Sequence, residues 1–115
     1  MKNYKEERPW GNFENLYDED DGKVKIITIY PGQSPSYQYH HKRGEVWTVL
    51  SGKGILRLND EYIEMLPGKT YEVPVGAHHQ PINDGLENLV FVEVQTGSYF
   101  GEDDIVRLED KYGRI

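Results

Sequence analysis

The sequence predicts an all-β fold in a single domain, and three observations support this prediction. Turn signals recur about every ten residues, a spacing typical of β-sandwiches and barrels built from short strands. No segment of a dozen residues shows the apolar period of an amphipathic helix, so any helix should be short. A chain of 115 residues is long enough to bury one hydrophobic core but too short for two.

The composition narrows the class of protein. A net charge of -7 and a pI near 5.0 argue against a nucleic-acid partner, because phosphate backbones attract basic surfaces. The chain has no cysteine, which excludes disulfides, thiolate nucleophiles and sulfur-ligated zinc. No stretch has the apolar length of a signal peptide or a membrane span. We therefore expect a cytoplasmic protein with no membrane partner.

The N-terminal part predicts a loose start followed by two strands. Residues 1–9 are polar and expected to be loose, whereas the cluster Arg8-Pro9-Trp10-Gly11 should dock on the domain. Phe13–Tyr17 and the β-branched run Val24–Ile29 are too short for helices and indicate strands. An acidic turn over residues 17–22 separates these strands, and Pro31-Gly32 then breaks the chain.

The pair Asn59-Asp60 predicts a tight β-hairpin. It lies between residues 55–58 and 62–65, and both of its residues tolerate the positive φ that such a turn requires. Leu89–Gln95 indicates the last strand, and a short helix is expected near Asp103–Leu108. The core barrel should therefore cover about residues 24–96, with the N-terminal arm and the C-terminal tail packed on it.

Two stretches carry a candidate metal site. Gln38 and His40 are two residues apart and leave the same face of an extended strand, and Glu45 can rejoin them after a short turn. His79 lies just beyond the turn Pro74-Val75-Gly76. An amide oxygen, a carboxylate and two imidazoles suit one divalent ion, with coordination left open for water or substrate. Zinc is the expected ion, and manganese, iron, cobalt and nickel are also compatible with these donors.

These residues also have purely structural interpretations. His40 and His79 could be hydrogen-bonded histidines of the barrel, although all four histidines of the chain fall in the two stretches. Glu45 could pair with Arg43 or Lys42 on a solvated edge. A divalent ion needs an anionic ligand, however, and no other acid is placed as well.

The spacings in both stretches resemble the two sequence motifs of the cupin family. The first motif is matched by Gly32, Gln38, His40, Glu45 and Gly52. The second motif is matched by Gly68, Pro74, Gly76, His79 and Asn83. Two motifs in order with a hairpin between them imply a jelly-roll β-barrel.

The ends of the chain resemble one branch of this family, the isomerase domain of type II phosphomannose isomerases. The similar segments are Arg8–Gly11, the Gln-x-His-His start of the metal stretch, Glu93–Arg107 and Tyr112-Gly113-Arg114. That domain often follows a nucleotidyltransferase domain, which this chain lacks, so the resemblance implies only the isomerase half of the bifunctional mannose-1-phosphate guanylyltransferase/isomerase. Lys42 and Val46 stand where the family usually has histidines, and they could tune the choice of sugar.

The resemblance implies a metal-dependent aldose–ketose isomerase that interconverts mannose 6-phosphate and fructose 6-phosphate. Arg107 and Arg114 hold motif positions and Arg43 lies in the metal-site turn, so these arginines are the candidates for binding the phosphate. Salt bridges to nearby acidic residues are the alternative. The proton that moves between C1 and C2 could be carried by a metal-bound water, His41, Lys42 or His78.

Two other functions stay open at this point. The chain could be a non-catalytic, metal-containing, sugar-binding cupin, or a cupin enzyme of another chemistry such as an oxygenase. Gln38 in place of a histidine and the arginines of the C-terminus weigh against the oxygenase. The expected partner is a small-molecule phosphosugar, and the resemblance also implies a homodimer, since cupins commonly pair through edge strands.

Overall fold

A computed structural model describes residues 4–113 of the chain, so that the predicted site residue Arg114 lies outside the described residues. Eleven strands and no helix occur in this range, which confirms the all-β prediction; accordingly, no helix in this range could cross a membrane. The strands are β1 Tyr4–Arg8, β2 Gly11–Glu19, β3 Gly22–Ile29, β4 Tyr37–Tyr39, β5 Arg43–Ser51, β6 Gly54–Leu58, β7 Glu61–Met65, β8 Thr70–Val73, β9 His79–Ile82, β10 Leu89–Gly97 and β11 Val106–Glu109.

The strands form two antiparallel sheets that enclose the hydrophobic core. The larger sheet has the order β1-β2-β3-β10-β5-β8, and the smaller one has the order β11-β4-β9-β6-β7. Both sheets contribute to one buried apolar cluster, with Val49 and Phe91 on the larger sheet and Leu56 and Met65 on the smaller one. The jelly-roll prediction is confirmed by this arrangement.

The interior of the larger sheet changes from apolar to charged along its strands. Three cross-strand rows run over β3, β10 and β5: Ile27, Phe91 and Val49; Lys25, Glu93 and Trp47; Lys23, Gln95 and Glu45. All nine side chains are buried. Because alternate residues of a strand share a face, the three rows point into the barrel together. One end of the barrel interior is therefore a core, and the other end can hold a polar site.

The N-terminal segment is ordered, so the expectation of a loose start is wrong for residues 4–8. These residues form β1, which pairs with β2 along its whole length. The pairing satisfies the backbone groups that face β2, in a segment whose polar sequence shows no strand signal. Trp10 is buried in the core at 7% exposure, which agrees with the predicted docking of its cluster. The sheet thus begins well before residue 24.

The hairpin prediction is confirmed, and the helix prediction is wrong. β6 and β7 are joined by Asn59 and Asp60, whose φ values of 48° and 66° are those of a tight hairpin turn. The predicted helix near Asp103–Leu108 is instead a turn that leads into β11, which pairs with β4. Asp104 accepts hydrogen bonds from the backbone N–H groups of residues 41 and 42, and this long-range contact competes with local helical bonding.

Replacing Trp10 by alanine tests whether the N-terminal segment belongs to the core. Trp10→Ala should lower the free energy of unfolding by about 3–5 kcal/mol, because truncation of a buried aromatic side chain leaves a cavity. Urea unfolding followed by circular dichroism measures the change. Leu86→Ala is the control, since Leu86 is 97% exposed and its loss should change stability by less than about 0.5 kcal/mol. Equal stability of both variants would contradict the docking of Trp10.

Candidate metal centre

Two histidines and a glutamate converge at the charged end of the barrel. His40 follows β4, Glu45 lies on β5 and His79 begins β9, and one ligand atom from each lies within 4.8 Å of the others. The Nε2 atoms of His40 and His79 lie 3.4 Å and 3.8 Å from the Glu45 carboxylate oxygens. These separations are long for direct hydrogen bonds and leave the three donors facing a common point. Such a donor set suits a divalent ion.

The two imidazoles are held in the tautomer that a metal ligand needs. Nδ1 of His40 lies 2.6 Å from the backbone carbonyl oxygen of Asp104, and Nδ1 of His79 lies 2.9 Å from that of Ala77. A carbonyl can only accept, so each Nδ1 carries the proton and each Nε2 keeps its lone pair. Burial lowers the pKa of His40, which favours the neutral ring. Nε2 of His79 is buried without a hydrogen-bond partner among the described residues, which fits a ligand atom.

The Glu45 carboxylate is ionised and held in place. It accepts hydrogen bonds from Trp47 Nε1 at 2.9 Å and from Arg43 Nε at 3.1 Å. Burial alone raises the pKa of Glu45, but the positive charge of the adjacent Arg43 helps to outweigh burial, and the pKa is lowered overall. Burial and the charge of Glu45 raise the pKa of Glu93. Of these two carboxyl groups, Glu93 therefore holds the proton.

The fourth predicted ligand, Gln38, lies beside this group. β4 pairs with β9 so that Gln38 is directly opposite His79, and both residues line the same cavity. The Gln38 Oε1 atom accepts a hydrogen bond of 2.7 Å from Ser36. An amide oxygen in this position has a second lone pair and stays a candidate ligand.

A cavity of about 130 Å³ opens beside the candidate metal centre. One part of its wall is apolar and includes Trp10, Phe13, Ile27 and Phe91. The polar part carries four cationic side chains, Arg8, Lys25, Arg43 and Arg107, and two carboxyl groups, Glu93 and Glu102. On a protein whose net charge is -7, a cavity in which cations outnumber acids favours an anionic ligand.

The structure brings two of the predicted phosphate-binding arginines to this cavity. Arg107, on β11, and Arg43, at the start of β5, both line it. Arg43 is also close to the metal ligands, since its Nη2 atom lies 3.2 Å from Nε2 of His40.

The three predicted proton carriers are not on the described cavity wall. His41 and Lys42 are exposed, and the Lys42 ammonium lies over the ring of Tyr99 at 5.2 Å. The half-buried His78 stacks on Tyr39 with ring centroids 4.8 Å apart. His41 and Lys42 lie in the turn between β4 and β5, and His78 lies just before β9, so none of them holds an inward-facing strand position.

Four charged residues of the cavity were not predicted as site residues from the sequence: Arg8, Lys25, Glu93 and Glu102. Lys25 follows Lys23 at the two-residue spacing of a strand, and Glu93 precedes Gln95 in the same way. In both strands the polar pair occupies alternate positions that are otherwise apolar and buried. This pattern could have indicated polar side chains inside the barrel. Glu102 reaches the cavity from the loop after β10, and no local pattern indicates this.

Comparisons with known proteins agree with this architecture. The family model described as "Mannose-6-phosphate isomerase C-terminal" matches residues 1–110. Mannose-1-phosphate guanylyltransferase ManC of Salmonella typhimurium is 40% identical over 108 residues, which are 94% of this chain and 22% of the relative. The chain spans less than a quarter of the length of the curated relatives that it matches.

Solved structures similar to this chain include two that each cover 84% of it. A double-stranded β-helix protein of Klebsiella pneumoniae superposes with a TM-score of 0.74 at 24% identity, over 84% of this chain and 82% of the other. A putative sugar phosphate isomerase from Acidithiobacillus ferrooxidans gives a TM-score of 0.68 at 28% identity, over 84% and 68% of the two chains.

The barrel with its two histidines and glutamate defines the class: this is a cupin domain with a candidate metal site. Within that class the match over residues 1–110 decides the family. The chain belongs to the mannose-6-phosphate isomerase C-terminal family, a family of enzymes of sugar metabolism.

Removing one imidazole should remove the metal. We expect one divalent ion per chain in the wild type, and His40→Ala or His79→Ala should reduce its occupancy sharply, because each deletes one of three donors. Elemental analysis of protein washed with a weak chelator measures the occupancy. His78→Ala is the matched control, since His78 adjoins His79 but faces away from the site. Full metal content in His79→Ala would show that the site is misassigned.

Proposed function

We propose that the chain is a metal-dependent isomerase of a phosphosugar, interconverting mannose 6-phosphate and fructose 6-phosphate. One observation carries this proposal: the Nε2 atoms of His40 and His79 and the Glu45 carboxylate converge beside a cavity rich in cations. A metal centre can activate the sugar end of such a substrate, and the cations can bind its phosphate. The family match and the similar sugar phosphate isomerase support the proposal.

The metal site would be formed by His40, Glu45 and His79, with Gln38 as a fourth ligand and zinc as the expected ion. When bound, a divalent ion polarises the sugar oxygens and stabilises the negative charge that develops as a proton leaves carbon. Glu45 offsets part of the charge of the ion. The carbonyl groups of Asp104 and Ala77 keep both imidazoles aimed at it.

The remaining residues of the cavity bind and enclose the substrate. The apolar wall, which includes Trp10 and Phe91, excludes water from the reacting carbons. Arg107 is our first choice for the phosphate, because a guanidinium can donate two parallel hydrogen bonds to it. The proton must be carried by a group on the cavity wall, and the carboxyl group of Glu93 is the candidate there.

A sugar-binding cupin without turnover is the second candidate. It is favoured by the position of Arg43, whose Nη2 atom lies 3.2 Å from Nε2 of His40. A permanent cation at that nitrogen competes with a metal ion for the same lone pair. In that case the pocket would recognise a sugar phosphate without isomerising it.

Loss of Arg107 should reduce catalysis and leave the metal in place. Arg107→Ala should lower kcat/KM for mannose 6-phosphate by about ten- to a hundredfold, since a charge-assisted hydrogen bond is worth roughly 1.5–3 kcal/mol. Binding energy from a remote phosphate also orients the reacting carbons, so kcat should fall as well as affinity. A coupled assay of fructose 6-phosphate formation with added zinc or manganese measures this.

Arg57→Ala provides the control for this test. Arg57 pairs with Glu109 and Asp60 outside the cavity, so its loss should leave the kinetics unchanged. Equal turnover of mannose and mannose 6-phosphate by the wild type would contradict the role assigned to the arginines. A metal-loaded wild type that binds mannose 6-phosphate but does not convert it would favour the sugar-binding cupin.

A further inference from the structure

A cluster of three cations lies at the charged end of the barrel, next to the candidate metal centre. Lys23 and Lys25 project inward from β3, and their side chains are only 9% and 6% exposed. Arg43, whose side chain is 4% exposed, reaches the same place from β5. Burying an ammonium group is costly unless an anion compensates its charge. The cluster therefore needs an anion.

The anion that compensates this cluster is the carboxylate of Glu102. Its oxygens lie 2.5 Å from Lys25 Nζ, 3.5 Å from Lys23 Nζ and 3.9 Å from Arg43 Nη1. Other contacts are weaker or shared: Lys23 also lies 3.9 Å from the exposed Asp18, and Arg43 already pairs with Glu45. Glu102 is thus the one carboxylate among these that all three cations share.

The cations and the carboxylate differ in how firmly they are held. The two lysines lie on β3, which is paired with a strand on each side, and their side chains are buried. Glu102 belongs to the loop between β10 and β11, next to Gly101, and its side chain is 53% exposed. The Glu102 carboxylate thus borders solvent, whereas both lysine side chains are enclosed by protein.

We propose that Lys25 and Arg43, which line the cavity, form an anion subsite for the phosphate group of the substrate, with Lys23 adding a third positive charge nearby, and that Glu102 occupies this subsite until the phosphate displaces it. The inference rests on the proposed function for the identity of the substrate. A phosphate monoester carries close to two negative charges at neutral pH, so it matches the three cations better than one carboxylate does.

The position of the subsite suits a phosphosugar. Arg43 connects the candidate metal centre with the anion subsite. Its Nε donates a hydrogen bond to Glu45, and its Nη1 lies 3.9 Å from the Glu102 carboxylate. A phosphate bound by the lysines would therefore lie one guanidinium group away from a metal ligand. Lys25 and Glu102 share the cavity with Gln38 and His79, so the sugar can extend from the phosphate toward the metal centre.

Binding of inorganic phosphate, measured by isothermal titration calorimetry, tests the subsite without any assay of turnover. Lys25→Gln should weaken phosphate binding by about tenfold or more, because one charge-assisted contact is lost. Lys25→Arg keeps the charge and should retain most of the affinity. Glu102→Gln should bind phosphate about three- to tenfold more tightly. The neutral amide no longer competes with phosphate for the three cations, so a larger fraction of the subsites is free to bind it.

Two controls separate these local contacts from the net charge of the protein and from a bound metal ion. Glu109→Gln removes a carboxylate that is 62% exposed and pairs with Arg57, so it should bind phosphate like the wild type at matched ionic strength. When His79→Ala is added to each protein, phosphate should still bind most tightly to Glu102→Gln and most weakly to Lys25→Gln. This result would separate the subsite from phosphate bound to a metal ion. Phosphate should also raise the Tm of Glu102→Gln more than that of the wild type, which provides a readout if the variant is less stable.

The outcomes separate this inference from the proposed function. Unchanged phosphate affinity in both Lys25→Gln and Glu102→Gln would overturn the subsite. Loss of phosphate binding in Arg107→Ala together with normal binding in Lys25→Gln would place the phosphate at Arg107, which overturns the subsite and preserves the isomerase. The predicted ranking without isomerase activity would preserve the subsite and overturn the proposed reaction.

Discussion

The buried carboxylate of Glu45 is the interaction on which the polar half of the barrel depends. An ionised group at this depth is stable only if donors and positive charges surround it. Trp47 and Arg43 donate hydrogen bonds to it, and the Arg43 guanidinium also supplies a positive charge. His40 and His79 face the carboxylate from the other sheet without reaching hydrogen-bond distance. The gap that remains between them is the candidate ion site.

A chain of alternating charges connects Glu45 with the cations of the anion subsite. Arg43 neutralises Glu45 and also faces Glu102, and Glu102 in turn compensates Lys25. The metal centre and the anion subsite are therefore two parts of one network, in which anions and cations alternate. Electrostatic coupling in such a network is strong because water is largely excluded. A phosphate that displaces Glu102 would also change the field at Arg43, and so at the metal ligands.

The sequence predicted the parts of this arrangement that depend on local spacing. Two-residue spacing placed Gln38 beside His40, and tolerance of positive φ placed the hairpin at Asn59 and Asp60. Contacts between distant segments that carry no sequence motif could not be predicted from the sequence. β1 is a strand only because β2 pairs with it. The turn at Asp104 exists because its carboxylate caps two N–H groups more than sixty residues away. Tertiary contacts of this kind override local preferences.

The residues missed at the site show why a charged cavity is harder to foresee than a metal centre. Ligands such as His40 and His79 belong to residue types with few other uses in a barrel, whereas lysine and glutamate are usually surface residues. Only the register of β3, β10 and β5 shows that Lys25 and Glu93 are neighbours facing inward. Glu102 acquires its position from the path of a loop. The cupin barrel thus fixes its metal ligands in short local motifs, while the charges that would select the substrate come from strands and loops far apart in sequence.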